Sequence, residues 1–180
     1  MKKVLKLKGK TAVFIDWANV HGWQKSLKKR IDVSKLHKYL KSYKEIEAIR
    51  FYFGKDSNEG SKKFLQMVEN AGYSLTTKLV KYILVAKVKG EEVYKRKCDF
   101  DLEICIDVHK FIGRGFDSFI FFSGDGDFEP VYQHLLSEKK QVIVVFAHGH
   151  MGREIYQLGR KIYTKAVFMQ VVGILPHREG

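Results

Sequence analysis

Four aspartates carry the chemistry that is easiest to read in this 180-residue chain: Asp16, Asp101, Asp125 and Asp127. Asp16 closes a short apolar run of β character, Thr11-Ala-Val-Phe-Ile15. Asp125 and Asp127 belong to Ser123-Gly-Asp-Gly-Asp127, which directly follows the apolar run 117–122. The two intervening glycines let the backbone turn tightly and approach a ligand or a metal closely. Asp101 stands out for a different reason. Residues 99–112 read as a helix, and at about 100° per residue Ile104, Cys105, Val108, Phe111 and Ile112 share one face with Asp101. A carboxylate on an apolar stripe is costly unless it is paired or bound to metal. Asp99 falls on the far polar side, and Asp107 at the flank.

Each acid also has an ordinary reading. Asp16 or Asn19 could cap a turn or helix, Asp125 could be a plain Asp-Gly turn residue, and Asp127 could cap the helix that opens at Phe128. Asp101 could pair with Lys97 or cap its own helix. Gathered in one place, however, several carboxylates cannot all ionise cheaply without a cation. An all-oxygen site suits Mg²⁺ or Mn²⁺. Such a site activates water and stabilises the charge of a phosphodiester transition state, with one or two metals. His148 and His150, two apart after a strand, read as loop histidines rather than a transition-metal site.

The elements around these residues alternate between strand and helix. Helices are expected over about 33–43 (capped by Ser34), 61–71 (stopped by Gly72), 99–112, 128–137 (with Pro130 in its first turn) and 153–163. Strands are expected over 11–15, 46–53, 73–79, 117–122 and 141–147, with an edge strand at 166–172. Trp17-Ala-Asn19-Val-His21-Gly22 reads as a loop with its polar side chains near Asp16. Runs such as Phe119-Ile-Phe-Phe122 and Val142-Ile-Val-Val-Phe146 are apolar on both faces. That pattern predicts an α/β fold with a parallel sheet covered by helices. Ligands bind such sheets beyond the carboxyl ends of the strands, where the winding reverses. Residues 80–97 break the alternation and read as a β-hairpin, with seven bases against two acids from Lys78 to Lys97.

Composition agrees with one globular domain spanning 1–180. Hydrophobic residues make up 45%, only two prolines occur, and there is no repeat or low-complexity stretch. The formal charge is +13, and residues 1–44 alone hold thirteen bases against two acids. Such a field draws polyanions, with nucleic acid ahead of an anionic membrane surface; the bland alternative is a lysine-rich, soluble surface. No apolar run approaches the roughly 18 residues of a membrane span, and the basic N-terminus lacks an apolar signal core, so a cytoplasmic location is expected. Cys98 and Cys105, on one helix, would lie about 10 Å apart along its axis, too far for a disulfide.

Three segments carry a family resemblance: Phe14-Ile-Asp-Trp-Ala-Asn19, Lys97-Cys-Asp-Phe-Asp-Leu-Glu-Ile-Cys-Ile-Asp107 and Phe122-Ser-Gly-Asp-Gly-Asp-Phe-Glu-Pro130. In this order they resemble the signature segments of the NYN family (LabA-like proteins), with similarity over about 11–163. The resemblance implies a Rossmann-like, PIN-like three-layer sandwich with a mostly parallel sheet, here carrying an inserted basic hairpin. It also implies an acidic pocket for Mg²⁺ or Mn²⁺ and a role in RNA cleavage or processing. Residue by residue it points to Asp16, Asn19, Asp101, Asp125 and Asp127, with Asp107 as a neighbour. Two departures stand out. The hairpin has no counterpart in the family core, and Arg160 and Lys161 stand where many members carry an acid near the end of the last helix.

The expected activity is metal-dependent ribonuclease. Asp16, Asp101 and Asp125 would hold metal, while Asp127 binds a second ion or orients water. Asn19, Ser123 and the hairpin residues Lys87, Lys89, Lys95 and Arg96 would bind substrate. Tyr82, Tyr94, Trp17 and Trp23 are candidates for stacking on unpaired bases. RNA, single-stranded or structured, is the expected partner, with no membrane and with room for a homodimer. The alternative is a catalytically silent nucleic-acid-binding module of the same fold. A nucleotide-binding regulator is a weaker reading, because no Gly-rich phosphate loop follows the first strand.

Overall fold

Apolar side chains on both faces of the strands force a covered sheet, and that is the architecture found. The computed structural model describes residues 3–159, 162–165 and 174. Six strands form one sheet in the order β3-β2-β1-β6-β7-β8: β1 (Thr11–Asp16), β2 (Ile46–Lys55), β3 (Ser74–Leu79), β6 (Ser118–Phe122), β7 (Gln141–Phe146) and β8 (Tyr163–Lys165). Every neighbouring pair is parallel. Successive residues of β1 feed opposite cores. Val13 and Ile15 pack with the helices α1 (Trp17–Leu27), α2 (Val33–Lys41) and α3 (Glu59–Ala71). Ala12 and Phe14 pack with α4 (Asp101–Gly113), α5 (Glu129–Ser137) and α6 (Arg153–Gln157). The result is three layers.

The chain winds outward from β1 through β2 to β3, then returns to lay β6 on the other side of β1. The topological switch therefore falls between β1 and β6, at whose carboxyl ends stand Asp16 and the loop Ser123–Asp127. This is where a doubly wound sheet leaves a crevice for a ligand.

Several local expectations need correction. Trp17–Gly22 is not a loop: α1 starts directly after Asp16, because Trp17, Val20 and Trp23 recur at helical spacing and all three are buried. The cap of α2 is Asp32 rather than Ser34, since the Asp32 side chain accepts from the Lys35 amide at 2.9 Å. Helix α6 ends at Gln157, well short of residue 163, and Tyr163 instead joins the sheet edge. Helix α4 begins at Asp101, not at residue 99. The expected strand 166–172, together with Arg160 and Lys161, lies outside the described residues.

The segment 80–97 is a separate antiparallel ribbon of β4 (Lys81–Val88) and β5 (Glu91–Lys97). Its two-residue turn places Lys89 at φ 49° and Gly90 at φ 86°, the left-handed pair a tight hairpin needs. Every residue of both strands is exposed. The ribbon is fastened at its base, where the cross-strand pair Tyr82 and Arg96 both reach Asp56, just past the end of β2. Among the described residues, no helix is long and apolar enough to cross a membrane.

Candidate active site

Asp16 is the last residue of β1 and the N-cap of α1, accepting from the Ala18 amide at 3.1 Å and the Asn19 amide at 3.5 Å through Oδ1. The structural and functional readings of Asp16 thus coexist, since the cap uses one carboxylate oxygen. Asp125 does the same for the single 3₁₀ turn Gly126–Phe128, its Oδ1 accepting from the Asp127 amide at 3.0 Å. Asp101 opens α4, where the positive end of the helix favours a carboxylate. Asp127 is the exposed member of the group, while Asp16, Asp101 and Asp125 are half-buried.

These residues come from three separate stretches of chain and feel one another's charge. Burial pushes the Asp16 carboxyl up to about 6, and the neighbouring charges of Asp101 and Asp125 add to the rise, against the two capping amides that lower it. Asp101 is raised as well, first by burial and then by Asp125, Asp99 and Asp127, with Lys78 opposing. Asp101 has no ion pair among the described residues; Lys97, its proposed partner, instead lies 3.8 Å from Asp99. Asp16 and Asp101 are therefore hard-oxygen donors whose ionisation is disfavoured by burial first and by neighbouring carboxylates second, the electrostatic setting a divalent cation relieves. Among the described residues, no three His, Cys, Asp or Glu side chains form a ready ligand set.

The loop that carries Asp125 and Asp127 is fixed by close backbone contacts at Gly124 and Gly152. The Gly152 amide donates to the Gly124 carbonyl at 2.7 Å. A Cβ on Gly124 would overlap the carbonyl oxygen of His150, and one on Gly126 would overlap the carboxylate of Glu154. Asn19 Oδ1 accepts from the Gly124 amide at 3.1 Å and from the Trp23 indole at 3.2 Å, tying α1 to this loop. Ser123 is buried, and its hydroxyl accepts from the Asp125 amide at 3.2 Å. Both residues shape the loop from within. The structure also adds Glu154, in the first turn of α6, to the acids at this edge. Sequence reasoning missed it, and the one available signal was Gly152 two residues before it.

Other candidates fall elsewhere. Asp107, read as a flank residue near the pocket, is buried in a different network: it accepts from Tyr52 at 2.8 Å and Arg50 at 2.9 Å and pairs with Lys110 at 3.3 Å. Burial alone would raise its carboxyl; the Tyr52 hydroxyl, the Arg50 charge and Lys110 together hold it below the usual range. Trp23 is fully buried and Trp17 nearly so, packed on Phe64 with ring centroids 4.8 Å apart, so Trp23 cannot stack on a base. Tyr82 and Tyr94 keep exposed rings. On the hairpin, Lys87 pairs with Glu92 at 3.2 Å and Arg96 with Asp56 at 3.4 Å, while Lys89 and Lys95 form no ion pair among the described residues. His150 is bonded to Ser26 at 2.7 Å. Cys98 and Cys105 are free thiols.

The sequence pattern of the NYN domain matches residues 10–158, from just before β1 through α6. This chain belongs to the NYN family. The family has the fold of PIN-like nucleases, and the carboxylate edge lies within the matched span. The chain is similar to the low amplitude and bright protein LabA of Synechococcus elongatus, with 28% identity over 146 residues, 80% of this chain and 77% of that protein. Its fold is similar to that of a Vibrio parahaemolyticus protein of unknown function, with a TM-score of 0.67 at 20% identity, covering 88% of this chain and 93% of the other.

Proposed function

We propose that this NYN protein is a divalent-metal-dependent ribonuclease. The observation that supports the reading is that Asp16 and Asp101, from separate stretches of chain, are both raised, by burial first and then by neighbouring carboxylates that include Asp125, at the switch point of the sheet. When bound, Mg²⁺ or Mn²⁺ would supply Lewis acidity and an activated water. Asp16, Asp101 and Asp125 would hold it, using oxygens not committed to capping. Asp127, the exposed carboxylate, would bind a second ion or orient the attacking water. Asn19 and Ser123 keep Asp125 at its station through the loop backbone.

Substrate capture falls to the basic surface. The polyanion must approach a negative pocket, and the bases of residues 1–44 and of the hairpin supply the compensating field. Lys87, Lys89, Lys95 and Arg96 are all exposed on the ribbon; Lys89 and Lys95 form no ion pair among the described residues, and a phosphate would compete with Glu92 for Lys87 and with Asp56 for Arg96. Tyr82 and Tyr94, with exposed rings on the same ribbon, can stack on unpaired bases.

The second reading is a binding module without catalysis. It is favoured by one observation, that no ready ligand set is preassembled among the described residues. Incubating a mixed RNA panel with Mn²⁺, Mg²⁺ or EDTA separates the two. The nuclease reading predicts metal-dependent cleavage that Asp125→Asn abolishes. Binding without cleavage in either metal would establish the silent module.

A further inference from the structure

Beside the carboxylate edge lies a second feature that the catalytic reading leaves unused. A cavity of about 690 Å³ opens at the carboxyl ends of β1, β2 and β3, on the α1–α3 side of the sheet. It is lined by Trp17 and Ala18, and the Ala18 amide is itself bonded to the Asp16 carboxylate at 3.1 Å, so the cavity and the acidic edge share the first turn of α1. One wall is aromatic: Phe53 and Phe64 are half-buried with centroids 5.0 Å apart, and Phe64 stacks on Trp17. The rim is cationic. Arg30 enters from the α1–α2 connection with no carboxylate partner among the described residues, and Arg96 enters from the hairpin. Asp56 lines the same cavity and offers an acceptor, held by Tyr82 and Arg96.

An aromatic wall, two guanidinium groups and a carboxylate acceptor match one ligand chemistry: a heteroaromatic ring, its hydrogen-bonding edge and an adjoining phosphate. We propose that this cavity takes one unpaired nucleotide of an RNA chain, next to the phosphodiester presented at Asp16. The base rests on Phe53 and Phe64, and its phosphate lies between Arg30 and Arg96. This rests on the RNA reading above and deepens it: a base held in the cavity has left any helix, so an unpaired position beside the scissile bond becomes a requirement. A link within a chain fits better than a free nucleotide, because the cavity shares the first turn of α1 with the acidic edge, where the chain would continue.

The test is equilibrium binding in EDTA, where no cleavage intervenes, so its outcome is independent of whether the protein is a nuclease. The probe is a fluorescent pentauridylate, compared with the same strand annealed to its complement, a strand with abasic positions, and free UMP. Two variants are used. Gly60→Trp fills the cavity from the first turn of α3, where an added Cβ meets only the Asn58 side chain at 3.3 Å. Arg30→Ser removes an exposed cation and leaves the core intact. Wild type should bind the single strand about tenfold more tightly than the duplex or the abasic strand, the scale of one stacked base. Each variant should lose about that factor on the intact strand and little on the abasic one. Equal binding of single strand, duplex and abasic strand would overturn the proposal, as would wild-type affinity in Arg30→Ser together with Gly60→Trp. Displacement of the pentamer by UMP at equal nucleotide concentration would overturn the assignment to a link in a chain.

Discussion

Replacing Asp16 by Asn should make the metal-free protein more stable at neutral pH. Asp16 is half-buried, and its carboxyl is raised from 3.8 to about 6 by burial and by Asp101 and Asp125. Folding therefore favours the protonated acid. The stability associated with that proton is fully present below pH 3.8 and is lost as pH rises through about 6. The penalty of holding the charge at pH 7 is at most ~3 kcal/mol, trimmed by the side chain's remaining access to water. Asn caps a helix about as well as Asp, so the amides of Ala18 and Asn19 keep their acceptor. Urea denaturation of wild type and Asp16→Asn in EDTA, from pH 3.5 to 8, measures the difference. The variant should gain about 2–3 kcal/mol at pH 7, and the two curves should converge towards pH 3.8. Adding Mn²⁺ should stabilise wild type and leave the variant nearly unchanged. A variant that is equally or less stable at every pH would refute the account of Asp16 as a strained carboxylate.

Other consequences are checkable in the same preparations. Gly124→Ala drives a Cβ into the His150 carbonyl and should cost several kcal/mol or prevent soluble expression, as read by thermal denaturation. Arg50→Met leaves Asp107 buried with only Tyr52 and Lys110, and should cost about 3 kcal/mol at pH 7 in urea melts, less at acid pH where Asp107 can protonate. Replacing Lys87, Lys89, Lys95 and Arg96 with Ser should weaken RNA binding and flatten its salt dependence by roughly 0.7 log units per lost contact. Unchanged affinity across a salt titration would move the grip to the bases of residues 1–44.

What the sequence reveals here divides along the length scale of the contacts. Asp16 and the 123–127 loop were readable because each sits directly after an apolar run. Asp101 was readable because helical projection put a charge on a greasy face. The parallel sheet was readable in strands such as β6 and β7, apolar on both faces and buried but for Gln141 at the start of β7. The start of α1 was misread because polar Asn19 and His21 drew attention from the buried spacing of Trp17, Val20 and Trp23. Asp107 and Glu154 were illegible for another reason. Their surroundings are set by Arg50, 57 residues from Asp107, and by a backbone bond between Gly124 and Gly152, neither of which leaves a local pattern.

The most direct test of the central claim is a Mn²⁺ titration of wild type beside Asp16→Asn, Asp101→Asn and Asp125→Asn. Asp101 is decisive, because it alone of the three stands within the first turn of a helix and not directly after a strand of the sheet. If the aspartates form one site, wild type binds Mn²⁺ with release of protons near pH 6, and each variant binds at least tenfold more weakly. Wild-type affinity in Asp101→Asn would contradict a shared metal site at the switch point.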